Sequence, residues 1–266
     1  MTKQIHPPAA IGIIGGGQLG MMVVREAQRM GYRSVVWDPD PDCPASRLAD
    51  ETITASFGDR EAAGRLASAA DVVTYEFENV DPEIVEWLEE SKIVFPGSAI
   101  LRIAQHRRSE KDRLQKRGFP TVTFQAVESR QELRSAIESI GLPVVVKSAT
   151  AGYDGKGQTV LRTQEEAEAL LGRTKEPLTE CVVEQFIDLE SELSVVAVRG
   201  KDGAVTSFPV CENVHRENIL HTTTVPTHVA PAIQNKAIEI GRSIVESFNI
   251  VGVLCTEMFV TKEGNL

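Results

Sequence analysis

Apolar runs of four to six residues alternate with longer amphipathic stretches over the first hundred positions. Residues 10–14 are an apolar strand, and residues 18–30 read as a helix closed by Gly31. Residues 34–37 form a second strand, broken by Asp38-Pro39. Residues 59–69 are helical and 72–77 a strand. Residues 82–90 form a helix with proline near its start, and 93–95 a short fourth strand stopped by Pro96-Gly97. This β-α-β rhythm predicts a parallel sheet covered by helices.

The rhythm changes after about residue 100. Residues 105–117 read as a very polar helix, 122–126 as a strand, and 129–140 as a helix ended by Gly141. A strand at 143–148, a glycine-rich loop and a returning strand at 158–161 follow. Thr163 caps a helix running to about Leu171. Strands are then expected at 181–184, 192–198, 204–209, 220–225 and 251–260, interrupted by one long helix at 231–248. The pattern contains no internal repeat and no low-complexity segment.

Composition narrows the classes. The chain has 266 residues, 42% of them hydrophobic, and a formal net charge of −10, which argues against a general nucleic-acid surface. Cys43, Cys181, Cys211 and Cys255 are scattered with no C-x-x-C pair, which argues against a zinc site or a disulfide framework. The first residues lack the apolar core of a signal peptide, and no apolar run is long enough to span a bilayer. The expectation is a soluble cytoplasmic protein without membrane or nucleic-acid partners.

Two glycine-rich loops carry the chemistry. In the first, Gly15, Gly17 and Gly20 satisfy G-x-G-x-x-G between a strand and a helix, whose N-terminus would offer free N–H groups to a phosphate. Asp38, at the end of the next strand, stands where a dinucleotide fold holds ribose hydroxyls, so an oxidoreductase has to be considered. A tight turn with no ligand is the plainer alternative. The second loop decides between these readings. Lys147 sits in the apolar run Val144-Val-Val-Lys147, and an unpaired buried ammonium is costly. A polyphosphate is its natural partner, with Gly152, Gly155 and Gly157 letting backbone N–H groups close over anionic oxygens. Two anion sites suggest two ligands, a phosphorylated substrate and a nucleoside triphosphate.

Three further places are suggestive. The segment Glu184-Gln185-Phe186-Ile187 follows an apolar strand and could read an adenine edge through its backbone, with Glu192 on ribose hydroxyls. Glu257 is a carboxylate inside an otherwise apolar strand, which a magnesium ion would neutralise. His215 is the histidine best placed for function, whereas His6 and His106 read as surface residues.

Together the motifs Gly15-Gly-Gly-Gln-Leu-Gly20, Thr74-Tyr-Glu-Phe-Glu-Asn-Val80, Gly152-Tyr-Asp-Gly-Lys-Gly-Gln158 and Val251-Gly-Val-Leu-Cys-Thr-Glu-Met-Phe-Val260 resemble the N5-carboxyaminoimidazole ribonucleotide synthases, over essentially the whole chain. The resemblance implies an α/β protein with a Rossmann-like (pre-ATP-grasp) parallel sheet at residues 1–104. An ATP-grasp α+β domain would follow, divided into residues 105–190, with a lid at 149–158, and residues 191–266. It implies a ligase of purine biosynthesis that uses ATP and bicarbonate to carboxylate 5-aminoimidazole ribonucleotide through carboxyphosphate. It implies Mg²⁺, with Mn²⁺ as a substitute, and a homodimer.

Carried over by position, Lys111 and Lys147 resemble the triphosphate lysines. Gly152, Tyr153, Asp154, Gly155, Lys156, Gly157 and Gln158 resemble the phosphate-covering lid, of which Tyr153, Asp154 and Lys156 would reach the reacting groups. Glu184, Gln185, Phe186 and Ile187 match the adenine segment, and Glu192 and His215 the rest of the nucleotide site. Gly17, Gln18, Leu19 and Glu76 resemble the aminoimidazole ribonucleotide site, and Glu257 the first metal carboxylate. The family pattern continues into an Asn-Glu segment and an Arg-Pro-His-Asn-Ser-Gly-His-like motif that these 266 residues do not contain, so the C-terminal part is expected to be absent and turnover weak. A formate-dependent glycinamide ribonucleotide transformylase and a non-catalytic nucleotide-binding fragment are the alternatives.

Overall fold

The computed structural model describes residues 4–150 and 157–266. The expectations placed on Gly152, Tyr153, Asp154, Gly155 and Lys156 lie outside those residues. The chain forms two compact units, Met1–Arg102 with Ile250–Val253, and Ile103–Asn249 with Leu254–Leu266.

In the first unit the chain runs through β1 (Ala10–Ile14), α1 (Gln18–Arg29), β2 (Arg33–Asp38), a 3-10 turn at Pro44–Arg47 and β3 (Glu51–Thr54). It continues through α2 (Arg60–Ala69), β4 (Val72–Tyr75), α3 (Pro82–Glu89) and β5 (Ile93–Val94), and α4 (Ser98–Ala104) leads out. The strands form one parallel sheet in the order β3-β2-β1-β4-β5. In it, Ile13 lies beside Val36 on one side and Thr74 on the other. Both faces are covered, so the central strands are apolar throughout. Ile14, Val35, Trp37 and Val73 pack with Leu66, Val85 and Leu88 on one face, while Ile13, Val24 and Val36 pack on the other.

Helix starts follow their caps. Asp59 accepts the amide hydrogens of Glu61 and Ala62, and Asp81 accepts that of Glu83 with Pro82 next to it. The sheet has five strands where the sequence pattern suggested four. The unrecognised β3, Glu-Thr-Ile-Thr, is an edge strand that buries only Ile53, so it carries little hydrophobic signal.

The second unit holds two antiparallel sheets. Its first part is α5 (Arg107–Lys116), β6 (Phe124–Val127), α6 (Arg130–Ile140), β7 (Val144–Ser148), β8 (Gln158–Leu161), α7 (Gln164–Arg173) and β9 (Cys181–Gln185). The sheet order is β6-β9-β7-β8. Helices α6 and α7 cover it through Leu133, Ala136, Ile137, Ala167 and Leu171, which pack on Val144, Leu161 and Val183. Thr163 and Glu166 form a reciprocal capping box at α7.

The second sheet contains β10 (Leu189–Arg199), β11 (Val205–Ser207), β12 (Cys211–Arg216) and β13 (Ile219–Thr224), in the order β11-β10-β12-β13. After α8 (Pro231–Ser247), β14 (Gly252–Thr261) pairs with β10. Strand β12 did not stand out in the sequence because its buried position is the polar Asn213 while its one valine, Val214, is exposed. Its hairpin to β13 closes through Glu217 and Asn218 at φ 52° and 64°, the left-handed pair that two-residue hairpin loops of the primed type require. Helix α8 packs on this sheet, burying Ala237 with Leu193, Val195 and Val260. Among the described residues no helix is long and apolar enough to cross a membrane.

Candidate functional site

Glu184 is the electrostatic centre of the second unit. Strand β9 carries it between β6 and β7, opposite Phe124 and Val145, and its carboxylate is almost fully buried. Oε2 lies 2.7 Å from Lys147 Nζ on β7 and accepts a hydrogen bond from it. Oε1 faces Lys111 Nζ on α5 at 3.1 Å, as an ion pair without hydrogen-bond alignment. Burial pushes the Glu184 carboxyl up, but the charges of Lys147 and Lys111 and the hydrogen bond from Lys147 more than offset it, so the net shift is downward. Lys147 was expected to look to a polyphosphate alone; its first partner is this carboxylate. An ammonium has three donors, so the contact leaves others for a ligand. Lys111 also lies over the Phe124 ring, 5.7 Å from its centre.

Arg107, which carries no sequence signal, and His106 complete this corner. Arg107 opens α5. Its amide donates to Ala149 O at 2.9 Å and its Nε to Ser148 O at 3.1 Å. His106, expected at the surface, is partly buried before α5, with Nε2 3.0 Å from Glu180. The amide of Ala149 donates to Glu180 O, and that of Ser148 to Gly157 O. The backbone on which the second glycine loop begins is therefore held by α5 and by the chain entering β9. Only a three-dimensional contact, with no periodicity, could have pointed to Arg107.

The residues after β9 depart from expectation in part. The amides of Gln185 and Phe186 donate to Thr123 O and Pro143 O, so neither is free to read a base. The reason is local: β9 is a central strand and its end is still paired to both neighbours. Phe186 is half-buried with the Arg162 guanidinium 4.6 Å from its ring centre, and Ile187 is half-buried beside it in the chain. Gln158 Nε2 donates to Asn218 Oδ1 at 3.2 Å.

On the second sheet, Glu192 Oε2 and His215 Nδ1 are 2.8 Å apart, so the two residues proposed from sequence do meet. Below them Asn213 donates to Ser194 Oγ and accepts from Thr223 Oγ1, both at 3.0 Å. Glu257 does not fit the expected picture of a buried carboxylate. It lies on the exposed face of β14 with Val253, Cys255 and Phe259, so burial supplies no demand for a metal there. Among the described residues no group of three or more His, Cys, Asp or Glu could hold a metal ion. These side chains do not by themselves assemble a metal centre.

In the first unit, the glycine loop after β1 is not an open phosphate cradle. The amides of Gly17 and Gly20 donate to Glu76 Oε1 and Oε2 at 2.8 and 2.6 Å, and that of Gly16 donates to Asp38 Oδ2 at 2.7 Å. Asp38 also accepts from the Asp40 amide, which binds it to its own turn. The amides of Gly16, Gly17 and Gly20 are therefore occupied by two carboxylates, against the expectation that they stand free for a phosphate. Gly17, Gln18 and Glu76 remain neighbours around the start of α1, with Leu19 exposed. Gly15 sits at φ +99°, and a Cβ on it would fall 2.5 Å from Glu76 Cγ.

Comparison with known proteins agrees with this division. Residues 9–105 match the ribonucleotide synthetase preATP-grasp domain, and residues 112–266 match the ATP-grasp domain. The chain is thus an ATP-grasp protein. It is 42% identical to N5-carboxyaminoimidazole ribonucleotide synthase of Bacillus subtilis over 270 residues, spanning 100% of this chain and 70% of that relative. A crystal structure of an N5-carboxyaminoimidazole ribonucleotide synthetase with ADP superposes at a TM-score of 0.94 and 40% identity, covering 100% of this chain and 70% of that one. The Aspergillus clavatus synthase, solved with ADP and 5-aminoimidazole ribonucleotide, gives 0.84 at 30% identity, covering 97% and 67%. The chain belongs to the N5-carboxyaminoimidazole ribonucleotide synthase family, the ATP-dependent ligases that carboxylate 5-aminoimidazole ribonucleotide in purine biosynthesis.

Proposed function

We propose that the second unit holds ATP with its phosphates at Lys147 and Lys111, and that the carboxyl donor is bicarbonate. The observation that carries this is the charge count around Glu184: Lys147, Lys111 and Arg107 stand against Glu184 and Glu110, an excess of one positive charge in a part-buried site. A polyphosphate is the ligand that such an excess favours. The half-buried Phe186 and Ile187 offer apolar surface for the base, while Glu192 and His215 supply polar groups suited to ribose hydroxyls.

The chemistry follows from those positions. A bicarbonate oxygen attacks the γ-phosphorus and the bond to the β-phosphate oxygen breaks, giving ADP and carboxyphosphate. The substrate amine then takes the carboxyl carbon, releasing phosphate and losing one proton. Charge on the transferred phosphoryl group is met by cations fixed in advance. Mg²⁺ would travel with the nucleotide and offset phosphate charge, and Glu257 is the carboxylate of this chain that would hold it. The segment Gly152–Gln158, with Tyr153, Asp154 and Lys156, is proposed as the lid that keeps water from carboxyphosphate. Gly17, Gln18, Leu19 and Glu76 are proposed to hold the aminoimidazole ribonucleotide, and the family resemblance supports a homodimer.

Calorimetric titration with ATP and ADP, beside an ADP-release assay with bicarbonate and 5-aminoimidazole ribonucleotide, tests the reading. Lys147→Ala should weaken ATP at least about tenfold, the loss of about 1.4 kcal/mol expected when one charge-assisted contact goes. Unchanged ATP affinity in that variant would remove the phosphates from this corner. Formate supporting ADP release with glycinamide ribonucleotide, where bicarbonate does not, would change the substrate.

A further inference from the structure

Gln158 opens β8 as the cross-strand partner of Lys147 on β7, so the sheet register fixes its place beside the proposed phosphate lysine. Its side chain is exposed, and Nε2 donates to Asn218 Oδ1 at 3.2 Å, 60 residues along the chain. Asn218 belongs to the other sheet of the same unit, at the tip of the β12-β13 hairpin, just beyond the His215 that meets Glu192. The hairpin is not a straight ribbon. Val214 faces Thr222 and His215 faces Leu220, so His221 is the extra residue of a bulge, which bends the strand and increases its twist. The turn is fixed as well, with Glu217 and Asn218 at φ 52° and 64°. Glycine would meet that left-handed geometry without strain. The asparagine adds an acceptor, and the acceptor reaches Gln158.

We propose that Asn218 is a positioning residue for nucleotide binding, acting through Gln158 from the tip of the hairpin. This rests on the reading that the phosphates lie at Lys147. A glutamine side chain at an exposed strand end samples many rotamers, and ordering it when a ligand arrives costs affinity. Asn218 confines it in advance. The glutamine amide carries two donor hydrogens, so giving one to Asn218 leaves the other for an anionic oxygen. The same hairpin brings His215 to Glu192 and Asn218 to β8, and thus joins the ribose side of the proposed site to its phosphate side. The effect of the Asn218 side chain on ATP must vanish when Gln158 cannot donate, whereas a role in shaping the turn would persist.

The test is a double-mutant cycle of Asn218→Gly and Gln158→Met on the full chain, with calorimetric dissociation constants for ATP and for adenosine. Asn218→Gly removes the acceptor and keeps the turn, so the melting temperature should not fall. It is expected to weaken ATP about three- to fivefold, the share of one neutral hydrogen bond, while moving adenosine less than about twofold. Gln158→Met keeps the length of the side chain and removes its donors. In that background Asn218→Gly should move ATP less than about twofold, since the contact is already gone. Unchanged ATP affinity in Asn218→Gly, equal loss of ATP and adenosine, or additive losses in the cycle would each overturn the proposal. If Asn218→Gly lowers the melting temperature, the cycle still decides, because a turn defect weakens ATP equally with and without Gln158. Unchanged ATP affinity in Lys147→Ala would instead sink the phosphate assignment, which separates the two failures.

Discussion

Gly20 donates its amide hydrogen to Glu76 Oε2 at 2.6 Å, and Glu76 closes the start of α1 from outside the helix, 56 residues along the chain. The other oxygen takes the Gly17 amide at 2.8 Å. Helix α1 has no side-chain cap from Gly17 itself, so a carboxylate from beyond β4 does the work usually left to the residue before a helix. The glycines are needed for this approach: a Cβ on Gly17 would fall 2.7 Å from Glu76 Oε1, and one on Gly20 would fall 2.4 Å from Gly15 O.

Replacing Glu76 should therefore affect the fold of the first unit as well as any ligand. Glu76→Ala leaves two amides without a partner and is expected to cost about 1–3 kcal/mol. Glu76→Gln keeps one acceptor and should cost less. Urea unfolding followed by circular dichroism checks both. A stability equal to wild type in Glu76→Ala would mean that water satisfies those amides as well as the carboxylate does.

Glu110 gives the opposite sign. Burial is the largest influence on it and raises its carboxyl above the ordinary value of 4.5, against the lowering effect of Lys111 and Arg107. A carboxylate whose folded pKa is raised binds its proton more tightly in the folded state. It therefore subtracts stability above that folded pKa and nothing below the unfolded one. Glu110→Gln is expected to raise the melting temperature at pH 7.5, with the gain fading as pH falls through the raised folded pKa and gone below about 4.5. A variant less stable than wild type at pH 7.5 would show that Glu110 has a charged partner stronger than its burial.

The parallel sheet and most of the helices and strands, though not β3 or β12, were legible in the sequence. They depend on short-range signals: apolar runs, proline and glycine stops, and capping residues such as Asp59, Asp81 and Thr163. What stayed hidden depends on distance along the chain. The partner of Lys147 is 37 residues away on β9, and Glu76 reaches glycines more than 50 residues back. An apolar strand with one carboxylate looks the same in sequence whether the carboxylate faces inward or outward. That is why Glu257 was expected to be buried and is exposed.

The polar row beneath Glu192 offers a third test. Asn213 is buried and joins Ser194 on β10 to Thr223 on β13 through both ends of its amide. Asn213→Ala strands a buried hydroxyl and should cost about 1–3 kcal/mol, whereas Asn213→Asp keeps the acceptor for Thr223 and loses only the donor to Ser194. Thermal unfolding of the two variants should rank Ala below Asp at pH 5. Equal melting temperatures would show that the network contributes no more than its shape.

Helix α8 meets β10 at a point where nothing larger than hydrogen fits. A Cβ on Gly241 would lie 2.8 Å from Val195 Cγ1 and 3.1 Å from Val195 Cβ. Val195 is fully buried in a strand, and its β-branched side chain cannot turn away without meeting the core of Leu193, Val210 and Val260. In an exposed helix, Gly→Ala would add about 1 kcal/mol of stability. Here the overpacking cost of about 1–3 kcal/mol should exceed that gain, so Gly241→Ala is expected to destabilise the protein. Val195→Ala alone should also destabilise it, by leaving a cavity. The two together should be less harmful than their sum, because the removed methyls free the space that the new Cβ enters. Chemical denaturation of the three variants measures that coupling. Additive losses would show that α8 shifts as a body to admit the alanine, and that the close approach at Gly241 is not what fixes the helix on its sheet.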